Sequence, residues 1–113
     1  MQNDEFIDFS KIDADHIEQI RSILLAGLGV VDRLSQHRPK MKSLLYCRQT
    51  TEEQLIRVRE YEELPFEDRP IGFLDREHQI FAMTCEILTM VMEQRSEVDD
   101  STFCTLGASK GKL

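Results

Sequence analysis

Between Leu74 and Glu97 the chain reads as one helix that is apolar over more than half of its circumference. At about 100° per residue, Ile80, Phe81, Met83, Cys85, Ile87, Leu88, Met90, Val91 and Met92 cover roughly 220° of arc. Ala82, Glu86, Thr89 and Glu93 share the stripe that remains. A surface helix ordinarily buries a face of about 100° or slightly more, so this one needs cover from several sides. A chain of 113 residues has few helices with which to supply it. The expected fold is an all-α small bundle of three to four helices, completed by homodimerisation. Ile80, Ile87, Leu88 and Val91 are expected to be buried, with Met83, Met90 and Met92 at the seam.

The remaining elements follow from caps and breakers. Ile17, Ile20, Ile23, Leu24, Leu28, Val31 and Leu34 keep helical spacing, which predicts a helix over 13–34, capped either by Asp13 with an Ile12–Ile17 staple or by Asp15 paired with Glu18. Gly27 lies inside that stripe at a cost of about 1 kcal/mol in propensity; close approach of another backbone would compensate, and a kink or helix end is the alternative. Pro39 pushes Arg38 out of helical geometry. Residues 41–48 suit either a short helix or a strand, and read as helix because no second strand exists to pair with them. Thr50 with Glu53, or Thr51 with Gln54, forms a capping box that predicts a mostly solvated peripheral helix over 51–64. Pro65 through Phe73 is a turn-rich connector holding Phe66, Ile71 and Phe73. Asp75 is the expected cap of the last helix, over 75–96. The domain organisation expected is a flexible acidic leader over 1–11, one helical domain over 12–98 and a disordered tail over 99–113.

Charge narrows the partners. The net charge is −7 with a pI near 4.9, which disfavours nucleic acid and anionic membranes. The longest uncharged run, Ser22–Val31, is far short of the roughly 20 residues that span a bilayer. The N-terminus is acidic where a secretory signal is basic. Cys47, Cys85 and Cys104 are odd in number and widely separated, which suits reduced thiols and a cytoplasmic location rather than a disulfide framework.

Motifs that carry chemistry are scarce. Asp13, Asp15 and His16 open the first helix as Asp75, Glu77 and His78 open the last, a pairing loosely like the acid and His pairs of bundle di-metal sites. Capping explains both without a metal. No zinc, phosphate-loop or nucleophile motif is present, so neither a cofactor nor enzymatic activity is expected. The basic island of Arg38, Lys40 and Lys42 is the candidate polar contact with a partner. Met is common on adaptable binding faces, and Leu24, Leu28, Val31, Phe81, Met83, Leu88, Met90 and Met92 are the candidate protein-interface residues. The function expected is a non-enzymatic regulatory interaction module of anti-activator, adaptor or chaperone type. Its partners would be a second copy and another protein, such as a transcription regulator or a secreted client. The alternatives are a small helical metal-binding protein or enzyme that uses the Asp and His pairs, and a helix-turn-helix regulator, which the charge disfavours.

Overall fold

Three long helices account for nearly all of the chain that the computed structural model describes, residues 7–94. They are α1 (Phe9–His37), α2 (Lys42–Glu63) and α3 (Phe73–Gln94), with a short 3-10 turn at Phe66–Asp68 before α3. No strand occurs among the described residues. Cross-helix pairs give the topology. Asp13 meets Tyr61 and Asp32 meets Arg48, so α1 and α2 are antiparallel. Gln54 and Arg57 meet Glu77 near the start of α3. The site of Gly27 abuts Phe81 and Arg38 reaches Val91, so α1 and α3 run parallel.

Each helix turns a stripe spaced alternately by three and four residues inward, the period of a packed bundle seam. On α1 it is Ile17, Ile20, Leu24, Gly27 and Val31; on α3 it is Leu74, Glu77, Phe81, Thr84, Leu88 and Val91. On α2 it runs Leu44, Cys47, Thr51, Gln54, Val58 and Tyr61. The apolar core falls into two clusters, one around Leu24, Val58 and Phe81 and the other around Val31, Leu44 and Leu88. Gly27, Thr51, Gln54 and Thr84 stand between them, and all four are buried.

Several expectations are corrected. Residues 41–48 and 51–64 form one helix, and α2 packs centrally rather than peripherally. The Thr50 and Thr51 boxes lie inside it, because Leu44 and Cys47 extend the inward stripe back past them. Asp8, not Asp13, caps α1: its Oδ1 accepts from Ser10 Oγ at 2.6 Å and from the Lys11 N–H at 3.2 Å. Those two bonds hold the Asp8 carboxyl below the usual carboxylate range. The helix therefore starts within the expected leader, whose first six residues lie outside the described residues, as does the segment 99–113. Asp75 is not the cap of α3; the Gly72 carbonyl accepts from the Arg76 N–H at 3.1 Å, at a φ of 81° that glycine tolerates. Gly27 and Gly29 leave α1 unbroken, and what approaches Gly27 is the Phe81 ring rather than a backbone.

Candidate functional site

The structure places half of the eight expected interface residues in the core of this chain itself. Leu24, Val31, Phe81 and Leu88 are buried, and Leu28 and Met90 are half-buried. α1 and α2 cover Leu88 and Val91, whereas Ile80 and Ile87, expected to be buried, are half-buried. Met83 and Met92 remain outside, 57% and 47% exposed. They lie nine residues apart, about 180° around the helix, with exposed Glu86 and Glu93 between the two sides. The methionines therefore make two narrow strips rather than one face. Arg38 is half-buried and donates from Nη1 to the Val91 carbonyl at 3.3 Å, so it ties α1 to α3. Lys40 and Lys42 are exposed beside it.

Of the Asp and His helix starts, Asp13 and Glu77 serve as internal struts, whereas Asp15, Asp75 and His78 are exposed. Glu77 Oε1 accepts from Gln54 Nε2 at 3.0 Å and Arg57 Nη2 at 2.9 Å, while Oε2 accepts from Arg57 Nε at 3.0 Å. Asp13 is likewise held by Tyr61 and Arg69. No group of three or more His, Cys, Asp or Glu side chains suited to a metal ion occurs among the described residues. Cys47 is buried, which pushes its thiol up to about 12; burial also raises that of Cys85.

A different feature stands out at the end of the bundle where α1 and α3 begin. There a cleft of about 460 Å³ is lined by α1, by Tyr61 of α2 and by the connector. Phe9, Ile12, Asp13 and His16 follow the i, i+3, i+4, i+7 spacing, so α1 presents them on one face. Opposite them are Phe66, Glu67, Arg69, Pro70, Ile71 and Gly72. The two prolines and the 3-10 turn stiffen this wall, and Ile71 projects from it 97% exposed.

The floor of the cleft is a fixed polar clamp. Arg69 Nη1 meets Asp13 Oδ2 at 2.8 Å; Nε and Nη2 donate to the carbonyls of Leu64 and Glu62 at 3.0 and 2.8 Å. One guanidinium thus joins α1, the end of α2 and the connector. It lies 5.4 Å over the ring of Tyr61, which stacks on Phe73 at 4.6 Å. The Tyr61 hydroxyl donates to Asp13 Oδ1 at 2.8 Å. Both Asp13 oxygens are therefore engaged. Burial, then the bond to Asp13, pushes Tyr61 up to about 12. This is a rigid support beneath an apolar rim.

The Tyr61 shift predicts a pH dependence. Its folded value lies above the ordinary 10, so the fold favours the neutral phenol. The corresponding stability is complete below pH 10 and is lost as pH rises from there through about 12. A rise of that size corresponds to about 3 kcal/mol at most. Urea unfolding from pH 8 to 11.5 should show wild-type stability falling faster than that of Tyr61→Phe; parallel curves would contradict the buried, bonded phenol.

Sequence reasoning missed this site, although Phe9, Phe66 and Ile71 were visible as apolar residues outside any helical stripe. Comparison with protein-family models, curated proteins and solved structures finds no match to this chain.

Proposed function

We propose that the protein is a non-enzymatic regulatory module that holds another protein against the apolar rim of the end cleft. One observation carries this reading. Of the twelve large hydrophobic side chains exposed among the described residues, Ile7, Phe9, Ile12, Leu64, Phe66 and Ile71 gather at this end. Exposed apolar patches on small proteins mark interaction surfaces. Beneath them, a saturated clamp fixes the surface before a partner arrives, which lowers the ordering cost of binding. An adaptor, anti-activator or chaperone works by such contacts, with a transcription regulator or a secreted client as the partner class. The reading places the contact in the cytoplasm, where unpaired Cys85 stays reduced.

The test is a photo-crosslinking amino acid placed at Ile71 and, as a control, at exposed Arg59, in the native host. Adducts concentrated at position 71 are expected. Equal labelling at both positions would sink the reading.

Self-association is a second reading, favoured by the exposed Met83 on the α3 strip that also holds Met90. Light scattering of the same preparation checks it, and a mass at the monomer value of 13.2 kDa at tens of micromolar overturns it.

A further inference from the structure

The charges around the cleft select among occupants. Glu67 lines it and Asp68 adjoins it, while Asp15, Glu63 and Asp75 are exposed on the elements that meet there. None of these five carboxylates has an ion pair among the described residues. Four nearby arginines, in contrast, are occupied, which leaves Lys11 as an exposed cation on α1 beside the cleft. Arg69 is held by Asp13, Arg21 by Glu18 and Glu62, and Arg57 by Glu77; Arg76 donates to the Ile71 carbonyl at 3.4 Å. The surface therefore joins an apolar rim to five flanking carboxylates, with its arginines turned to internal duties.

We infer that this end of the bundle takes a basic amphipathic segment of another protein, its apolar side chains seated between Phe9, Ile12, Phe66 and Ile71 and its lysines or arginines facing Glu67 and Asp68. The inference rests on the interaction-module reading and adds the chemistry of the partner. Anchors spaced at i, i+3, i+4 and i+7 are how an amphipathic helix enters an apolar groove. A rim of opposite charge steers its approach and rejects acidic competitors. A second copy fits poorly, because joining two such ends sets Glu67 and Asp68 against their own equivalents in a chain of net charge −7. An anionic membrane is repelled for the same reason.

The test uses the full chain and two labelled synthetic helical peptides with leucines at i, i+3, i+4 and i+7, one filled out with lysine and the other with glutamate. Fluorescence anisotropy at low and high salt reads binding. The lysine peptide should bind, more weakly at high salt, and the glutamate peptide should not. Glu67→Lys with Asp68→Lys should weaken the lysine peptide roughly tenfold and admit the glutamate peptide. Ile71→Ser should weaken the lysine peptide as well. Glu67, Asp68 and Ile71 are all exposed, so circular dichroism should be unchanged in each variant. If both peptides bind equally and Ile71→Ser weakens both, the inference about charge fails while the docking reading stands. If the lysine peptide binds Ile71→Ser and Phe9→Ser at full strength, attraction is general to the acidic surface, and both fail.

Discussion

Gly27→Val should cost the bundle roughly 3 kcal/mol, at the upper end of what overpacking does. A Cβ at position 27 would stand 2.6 and 2.7 Å from Cε1 and Cζ of Phe81, well inside contact distance. The ring is buried in the core cluster that holds Leu24 and Val58. Gly27→Ala tests the balance more finely. Alanine gains about 1 kcal/mol of helix propensity, against an overpacking cost of about 1–3 kcal/mol, and the net result should be a loss. Phe81→Leu in the same chain should recover part of it, giving a positive coupling in a double-mutant cycle read from urea midpoints. A Gly27→Ala variant more stable than wild type by the full propensity gain would show that Phe81 does not hold that position.

The second large effect lies at Glu77, and it is asymmetric. The Glu77 side chain is 6% exposed and that of Arg57 38%. Arg57→Met leaves a buried carboxylate with only the Gln54 amide beside it, at a cost of about 3 kcal/mol, the low end for breaking a buried pair. Glu77→Leu leaves a guanidinium that water already reaches, and should cost about half as much despite removing the more buried partner. At about 4–8 °C per kcal/mol for a domain of this size, the gap should be plain in thermal melts. Equal losses would mean that solvent does not rescue Arg57.

How far the fold was legible depended on which residues fill the inward stripes. α1 and α3 fill theirs mostly with Ile, Leu, Val and Phe, so apolar spacing found both helices to within a few residues. α2 fills the middle of its stripe with Cys47, Thr51 and Gln54. Counting apolar residues alone made it look solvated, and its threonines imitated a helix start. The polar groups survive inside because Gln54 finds an acceptor in Glu77, although Ser43 Oγ, Thr51 Oγ1 and Gln54 Oε1 have no hydrogen-bond partner among the described residues. The site was less legible for a related reason. Helical periodicity marks what a bundle buries, and so it led to Leu24, Val31, Phe81 and Leu88. An exposed apolar surface shows instead where apolar residues fall off the period, as Phe66 and Ile71 do in the connector.

The parallel course of α1 and α3 also determines how the body carries tension. The chain enters α1 at the cleft end and leaves α3 at the opposite pole, and α1 alone has 29 residues, about 43 Å at 1.5 Å per residue. A pull between these points runs along all three helix axes at once. It loads the seams in shear, so that every layer from Tyr61 to Leu44 resists together instead of peeling one after another. The Arg57–Glu77 and Arg69–Asp13 pairs then act as crossbars against sliding, one on α3 and one on α1.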